Sequence, residues 1–486
     1  MAKVIVSQKV LAGNNTSREA RPSLWALWWS AIMLLRPAFS RESTFMWFSV
    51  IVAGLIVRVD NFGVSSIVRA FKLRPCFYHA LLKNFHSRAV NLDSLSALWA
   101  QVVFRLYPAP VLVNGRRVLV GDGIKVAKRG KKMPGVKSLH QQSENKAEYI
   151  MGHSLQAVCM LVHAAQSVVA VPLCAHIHEG TEFCNRHKKT LLDKMLILIG
   201  IVSRATESFY LVVDAYYAAG KMVDGMLKNG NHLITRVRSN AVAFTPYVQE
   251  GPRKRGRPQI YGKRVELASL LKSRKGMQRV ASPVYGEQDI TLHYIVRDLV
   301  WEPVGRVVRF VVVAHPTRGS IFLMSTDTTL EAVEIIRLYG LRFKIEFTFK
   351  QAVHRIGSFA YHFWMKSMTP LQRRNGNQYL HRKPLEYREA VKRKLHAYHV
   401  FIQAGLIAQG LLQYLSAAYP KIVWNSFGSW LRTIRPGIAP SEFVVAEALR
   451  NSLPHFLLST PDYSAFAKFI TQRQDLEKME IFRTAA

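Results

Sequence analysis

Apolar residues recur at helical spacing from Leu24 to about Tyr107, with many Trp and Phe residues and almost no alternation of the strand type. This pattern predicts a helical region. Pro108 and Pro110 mark its end, because proline cannot continue a helix. The markedly apolar stretch 44–57 covers only part of the ~20 residues that a bilayer span needs, so we expect a buried helix there.

Residues 111–239 change to short apolar runs that predict three strands, a helix, a strand, a helix and a strand, which is an α/β layer architecture. The predicted strands are Arg116–Val126, Leu155–Val162, Ser167–Ala175, Phe209–Val213 and His232–Val237, and the predicted helices cover about Asn185–Ala205 and Ala218–Lys228. The apolar stretch 155–177 has the length of a membrane span, but Gln156, His163 and Gln166 interrupt it. Two core strands are therefore the better interpretation.

Residues 240–317 break this alternation. Runs such as Thr291–Val296 and Val307–Val313 alternate apolar and polar side chains, which predicts an antiparallel β-strand insertion. Trp301 lies within it. A tryptophan there could wedge beside a flipped base, although packing in the core is the more common position for a Trp between strands.

The α/β pattern resumes over residues 318–369, where Asp327 or Thr328 can cap a helix that runs toward His354. A polar, basic linker then opens a helical C-terminal region, residues 370–486. The chain therefore divides into a helical N-terminal region, 1–110, two parts of one α/β layer, a β-strand insertion and a second helical region.

The charge of the chain indicates an anionic partner. Lys and Arg number 67 against 31 Asp and Glu among 486 residues, a net charge of +36. Because this charge runs through several segments, DNA or RNA fits better than a small acidic substrate, although a basic surface can also serve solubility alone. Four cysteines without a CxxC pair indicate a reducing compartment. We expect a cytoplasmic protein without a transmembrane segment; a membrane-associated basic protein is a weaker alternative.

Asp122 is the only carboxylate between Asp93 and Glu144, and nine basic residues share this segment with it. A lone acid in a segment that attracts polyanions would repel nucleic acid unless it held a cation. Asp214 follows the predicted strand Phe209–Val213 at its carboxyl end, where ligands usually bind in α/β sheets. Either aspartate, taken alone, could equally be an ordinary turn acid.

Tyr339, Arg342, Glu346 and Lys350 fall on one stripe of a predicted helix, about 80° wide at ~100° per residue. Such a stripe can form a functional face. The structural alternative is an ordinary charge ladder at i,i+4 spacing, which stabilises an isolated helix only slightly.

The order Asp122, Asp214 and then Tyr339, Arg342 and Glu346 in the pattern Y-x2-R-x3-E resembles the DDE transposases of bacterial insertion sequences. The similar group has a β-strand insertion before the third acid and a Y-R-E-K signature. The resemblance covers roughly residues 111–360. It implies an α/β ribonuclease-H-like catalytic core with an antiparallel β insertion, flanked by helical N- and C-terminal regions, the first of them DNA-binding.

One position departs from the signature. The final Lys of the family pattern would be residue 353, which is Val here. Lys350 matches a second basic position that some members carry, and could provide the phosphate contact instead.

The resemblance also implies a mechanism. Asp122, Asp214 and Glu346 would be the catalytic residues and would hold two Mg²⁺ (or Mn²⁺) ions, with which such enzymes cut DNA at the ends of their element and join the 3′-ends to target DNA. The working form would be a homodimer in a synaptic complex in the bacterial nucleoid. The alternative is a catalytically inactive, transposase-derived DNA-binding protein.

Two groups of residues are expected to contact double-stranded DNA. Tyr339, Arg342 and Lys350 would hold the phosphate backbone. Residues 255–258, Arg-Gly-Arg-Pro, resemble a minor-groove AT-hook, so Lys254, Arg255 and Arg257 would lie against DNA. The alternative is a solvated basic loop that touches phosphate without reading sequence.

Overall fold

Fifteen strands and thirteen α-helices form in the part of the chain that the structure, a computed structural model, describes. That part is residues 22–475 and 477, without 62, 142–146, 187–188, 207, 250–257, 273–275, 429–433, 436 and 460–463. The strands are β1 (Leu112–Val113), β2 (Arg116–Ala127), β3 (Lys137–His140), β4 (Tyr149–Ala164), β5 (Ser167–Ile177), β6 (Thr181–Glu182), β7 (Phe209–Val213), β8 (His232–Arg236), β9 (Val242–Pro246), β10 (Tyr261–Glu266), β11 (Gln278–Ala281), β12 (Thr291–Trp301), β13 (Arg306–His315), β14 (Gly319–Ser325) and β15 (Gln378–Tyr379).

The α-helices come mainly from the two ends of the chain. They are α1 (Leu24–Met33), α2 (Glu42–Val57), α3 (Gly63–Ala70), α4 (Phe77–Phe85), α5 (Leu92–Leu106), α6 (Leu191–Ser203), α7 (Gly220–Lys228), α8 (Ala332–Leu341), α9 (Lys344–Gln351), α10 (Leu385–Ala418), α11 (Pro420–Phe427), α12 (Glu442–Ser459) and α13 (Ala465–Thr471). A π-helical turn, Ala352–Ile356, follows α9. Helices therefore predominate at both ends of the described chain, and strands in its middle.

The centre of the protein is a mixed sheet in which five strands lie in the order β5-β4-β2-β7-β8. β2, β7 and β8 are mutually parallel, and β4 is antiparallel to both β2 and β5. Parallel neighbours need crossover connections, and α6 and α7 lie in the connections before β7 and β8. The predicted α/β architecture is confirmed. Residues 155–177 form two core strands, as expected.

The predicted insertion forms antiparallel strands, but these strands extend the central sheet. β12, β13 and β14 pair in sequence, and β14 pairs with β8 through Leu323 and Arg236. All thirteen strands other than β6 and β15 therefore belong to one sheet. Trp301 is buried at the end of β12, which favours its core-packing interpretation.

The helices of the two terminal regions pack together against this sheet. α10 contacts α2, α5, α12 and β5. The Trp99 indole on α5 donates to the Pro172 carbonyl on β5, and its ring lies against Gly410 of α10, where a Cβ atom would come within 2.3 Å of the ring. One hydrophobic core therefore includes residues from both ends of the chain. The division into domains at the predicted boundaries stays a prediction.

Among the described residues, α10 alone has the length and apolar composition to cross a membrane. Its apolar window is 94% buried inside the protein. Burial of this extent is typical of the core helix of a soluble protein. α2, which contains the apolar stretch 44–57, is buried as predicted.

Two predictions about the segment after β14 are wrong. The single helix expected over 339–350 is two helices, because α8 ends at Leu341 and α9 begins at Lys344. Asp327 does not cap a helix: its carboxylate accepts hydrogen bonds from Tyr210 and Thr329, and Glu331 occupies the N-cap position of α8. A buried Asp is stabilised by such donors, so this tertiary contact outweighs the local capping preference.

Glu442, the first residue of α12, provides a test of the contact between α10 and α12. Its carboxylate accepts hydrogen bonds from the Gln409 and Gln413 amides at the wall of a cavity of about 500 Å³. Burial raises the pKa of Glu442 to about 7. The protonated form is thus favoured by folding, and this stabilisation is lost as pH rises from about 4.3, the value of an unfolded Glu, to about 7.

Glu442→Gln is therefore expected to raise the melting temperature at pH 8, on the order of 2 °C, and to give no gain at pH 4.5. The control is Glu447→Gln on the same helix, which breaks the ion pair with Arg450 and should bring no gain at pH 8. Thermal unfolding at the two pH values checks this. An equal shift for Glu442→Gln at both would contradict a titrating Glu442.

Candidate active site

Asp122 and Asp214 lie next to each other on the two central parallel strands. β2 pairs with β7 up to Val120 opposite Val212, so Asp122 and Asp214 stand two residues beyond this pair, on the same face of the sheet. β7 ends at Val213, whereas β2 continues to Ala127 with β4 as its neighbour. The two aspartates therefore lie at the point where the sheet opens beside β2.

The break between α8 and α9 brings Arg342 to this opening, and the first turn of α9 brings Glu346 there. Arg342 Nη1 donates to Asp122 Oδ2 at 2.6 Å, and Arg342 Nη2 lies 3.4 Å from Glu346 Oε1. The break between the two helices places Arg342 at a turn, from which it reaches across to β2. Ile345, Thr348 and Phe349 form the buried face of α9 and leave Glu346 on the open side.

The hydrogen bonds of the two aspartates fix their orientation. Asp122 Oδ1 accepts from the Gly123 backbone at 2.7 Å, and Asp214 Oδ1 accepts from the Tyr216 backbone at 3.1 Å. The Asp214 carbonyl accepts from the Thr235 hydroxyl on β8. The second oxygen of Asp122 accepts from Arg342, whereas these hydrogen bonds leave the second oxygen of Asp214 for another partner.

The acidic side chains of the site favour the binding of a proton or another cation. Burial, together with the negative charges of Asp214 and Glu346, raises the pKa of Asp122 to about 6, although Gly123 and Arg342 oppose the shift. Burial also raises the pKa of Asp214. Carboxylates that are crowded in this way repel one another unless a positive charge lies between them.

Arg342 supplies that charge in the structure. Burial disfavours its charged form, but Asp122, Tyr339, Glu346 and Asp214 outweigh burial and raise its pKa. The guanidinium carbon lies 5.9 Å from the centre of the Tyr339 ring. Arg342 Nε is buried and has no hydrogen-bond partner among the described residues. The guanidinium thus contacts both Asp122 and Glu346, while its buried Nε–H has no hydrogen-bond acceptor among the described residues.

The other predicted residues of the 339–350 stripe lie at different depths. Tyr339 is half-buried on α8, and Lys350 is exposed on α9. Phe343 and Phe347, which the helical pattern would allow to pack on the sheet, are 53% and 55% exposed, and only Phe349 is buried. Val353, at the signature Lys position, packs against the core from the π-helical turn. The predicted residues Lys254, Arg255 and Arg257 lie outside the described residues.

Gln156 and Tyr217 form a buried polar pair behind the aspartates that sequence reasoning missed. Gln156 lies on β4 opposite Gly123, and its amide donates to the Tyr217 hydroxyl at 3.0 Å and to the Leu191 carbonyl. Burial, with the charges of Asp122 and Asp214, raises the pKa of Tyr217. In the sequence, the only signal of this pair is a single Gln within an apolar strand. That Gln is used above only as one of the polar residues that favour two strands over a membrane span.

The donor atoms at this opening suit a hard divalent cation. Mg²⁺ and Mn²⁺ prefer carboxylate oxygens, and Asp122, Asp214 and Glu346 supply them. As these side chains stand, no three His, Cys, Asp or Glu residues in the described chain are close enough together to hold a metal ion. The Arg342 guanidinium occupies the space between Asp122 and Glu346. The residues therefore fit a metal in their chemistry, and a shift of Arg342 would be needed to bring them together.

Comparison with known protein families agrees with this geometry. The sequence matches the family described as DDE superfamily endonuclease over residues 34–300, which is more than half of the chain. The match includes Asp122 and Asp214 and ends before Glu346; it also begins within the N-terminal helices, ahead of the region of resemblance seen in the sequence. No curated protein matches the chain. With its sheet, its paired strand-end aspartates and this match, the chain belongs to the DDE superfamily endonucleases.

Proposed function

We propose that the protein is a DDE transposase with a ribonuclease-H-like core that cleaves DNA at the ends of an insertion sequence and joins the 3′-ends to target DNA. One observation is the basis of this proposal. Asp122, Asp214, Arg342 and Glu346 lie close together at the point where β7 ends and β2 continues. The strand order β5-β4-β2-β7-β8, with β4 antiparallel, supports the ribonuclease-H-like core.

In this proposal Asp122, Asp214 and Glu346 are the catalytic residues and hold two Mg²⁺ or Mn²⁺ ions. When bound, such divalent ions would activate a water or a DNA 3′-hydroxyl and would stabilise the charge on the leaving oxygen. Asp122, Asp214 and Glu346 would hold these ions at the opening of the sheet. The Gly123 and Tyr216 hydrogen bonds orient the Asp122 and Asp214 carboxylates, and the Thr235 hydroxyl holds the Asp214 backbone, so little rearrangement of the strands is required.

When DNA binds, Arg342 also contacts the phosphate backbone in this proposal. Its guanidinium can turn from Asp122 to a phosphate oxygen, because phosphate offers it the same forked contact as a carboxylate. Tyr339, against which it lies, and the exposed Lys350 would contact the same backbone. Lys254, Arg255 and Arg257 are proposed to bind DNA further along. A homodimer would hold two transposon ends together in the cytoplasmic nucleoid.

The alternative is a transposase-derived DNA-binding protein that no longer cleaves. One observation favours it: Arg342 neutralises two of the acids, and no three of the described acids stand close enough to hold an ion. The two candidates differ in whether a divalent ion can displace the guanidinium.

A cleavage assay separates them. We expect the purified full-length chain to nick DNA carrying the ends of its own element when Mg²⁺ or Mn²⁺ is present, and to join 3′-ends to a plasmid target; EDTA should stop both reactions. Glu346→Gln protein prepared in parallel is the control for contaminating nucleases. End binding without nicking in either metal would establish the inactive alternative.

A further inference from the structure

A basic surface lies beyond the end of β2. It is formed by residues 129–132 and 362–374, which we call the Trp364 platform. The Trp364 side chain is 64% exposed at its centre. Large aromatic side chains usually lose water on folding, and an exposed one surrounded by charged groups often marks a binding surface. A surface tryptophan without function is the simpler alternative.

The two segments of the platform are held together by backbone hydrogen bonds. The Met365 N–H donates to the Lys132 carbonyl at 3.0 Å, and the Leu371 N–H donates to the Lys131 carbonyl at 2.7 Å. The Lys132 ammonium also donates to the Lys366 carbonyl. The platform is therefore an ordered part of the fold, and Trp364 is presented on it without a large loss of conformational entropy on binding.

A buried lysine anchors the platform to the sheet. Lys128, directly after β2, donates to the carbonyls of Phe359 and Tyr361, and its ammonium lies 3.5 Å from the centre of the Tyr361 ring. The Tyr361 hydroxyl in turn contacts His153 on β4 at 2.7 Å. These contacts fix residues 359–364 relative to β2, and so relative to Asp122.

The charge of the platform is of one sign. Its two segments contain six Lys and Arg residues and no Asp or Glu, and the cations are Arg129, Lys131, Lys132, Lys366, Arg373 and Arg374. None of the six makes an ion pair within the described chain. Burial and the positive charges of Lys128 and Arg129 lower the pKa of His362, which is two residues before Trp364. Such a surface attracts a phosphate backbone.

The Trp364 ring packs closely against Gly130. A Cβ atom at Gly130 would lie 2.9 Å from the indole nitrogen and closer still to Met133. The indole edge therefore rests on the 129–132 loop, whose other three residues are Arg129, Lys131 and Lys132. Aromatic rings set in a basic surface are how proteins bind single-stranded DNA, because every base can stack on them.

The platform is also at a suitable distance from the proposed catalytic residues. Asp122 is five residues from the end of β2 at Ala127. At ~3.3 Å per residue, and with a few more residues to Gly130, the separation is on the order of 20 Å. This length corresponds to at most about six nucleotides, because stacked DNA rises 3.4 Å per step and an unpaired strand extends further. A strand engaged at Asp122 can thus reach Trp364.

We propose that the Trp364 platform binds unpaired nucleotides of DNA several positions from the cleavage position, with Trp364 stacked on a base and the surrounding lysines and arginines on the phosphates. The proposal rests on DNA being the substrate, as proposed above, and adds the form of DNA and the residues that receive it. It does not require that the protein cleaves.

The test is the affinity of the full-length protein for a labelled single-stranded 20-mer and for the matching duplex, measured in EDTA by fluorescence anisotropy. Trp364→Ala is expected to weaken single-strand binding about 10-fold, in the range known for removal of a stacking side chain, and to change duplex binding less than about twofold. Trp364→Phe should restore most of the affinity. Tyr78→Ala, which removes an exposed aromatic from α4, is the matched control and should bind like wild type.

A paired change tests the cations. Lys131→Ala with Lys132→Ala should weaken single-strand binding and reduce the slope of log K against log salt by about 0.7 for each phosphate that the protein no longer neutralises. Unchanged single-strand affinity in Trp364→Ala protein with a wild-type melting temperature would overturn the proposal. A change in sedimenting mass with unaltered DNA affinity would overturn it too, since the platform would then bind a second copy. Because the assay contains no metal, its outcome is independent of whether the chain nicks DNA.

Discussion

Asp122→Asn protein is expected to lose metal-dependent DNA cleavage by more than about 100-fold, because even residues that only orient metal ligands cost 10–100-fold when they are removed. Asp214→Asn and Glu346→Gln should lose as much. The amides keep the shape of each side chain but not its negative charge. Since Asp122 accepts from Gly123 and Asp214 from Tyr216 in the backbone, we expect these variants to fold and to bind DNA ends as wild type does.

Cleavage rates and end binding, measured on the same preparations, check this expectation. Glu334→Gln is the matched control, because Glu334 is a carboxylate on α8 that pairs with Arg337 in a partly exposed i,i+3 ion pair. Such pairs contribute little, so cleavage should stay near the wild-type rate. If any one of the three amide variants cleaved at the wild-type rate, that residue would not belong to the catalytic set.

Arg342→Ala should destabilise the metal-free protein by about 2 kcal/mol, the range for removal of a hydrogen bond to a charged group. Its guanidinium is the cation that joins Asp122 to Glu346, and without it those carboxylates repel each other and Asp214. A divalent ion can take over that charge. The loss of stability is therefore expected in EDTA and to be largely reversed in millimolar Mg²⁺.

Thermal unfolding in EDTA and in Mg²⁺ measures this, with Arg342→Lys as the control that keeps the charge but not the forked geometry. The alanine variant also tests the phosphate contact, since a protein that neutralises one phosphate fewer should show a salt slope of duplex binding that is smaller by about 0.9. An equal loss of stability with and without Mg²⁺ would contradict the exchange of arginine for metal. An unchanged salt slope would remove Arg342 from the residues that bind DNA.

The local pattern of side chains was enough to place the strands that carry the aspartates. Continuous apolar runs predict buried strands because β7, most of β4 and residues 118–121 of β2 are buried on both faces of the sheet. A polar residue at the end of such a run is therefore conspicuous. Asp122 and Asp214 were found in this way, and the spacing of Tyr339, Arg342 and Glu346 indicated the third element. These are properties of short segments, which periodicity reports directly.

What only the tertiary structure decided depends on contacts between distant segments. The pairing of β14 with β8 joins the insertion to the central sheet, and strand partners cannot be read from the alternation of one strand. The salt bridge from Arg342 to Asp122, made possible by the break between α8 and α9, spans 220 positions of the chain. The sequence by itself therefore determined which charged residues could form the site. The fold decided that Arg342 lies among the acids and that Trp364 is exposed on a basic surface.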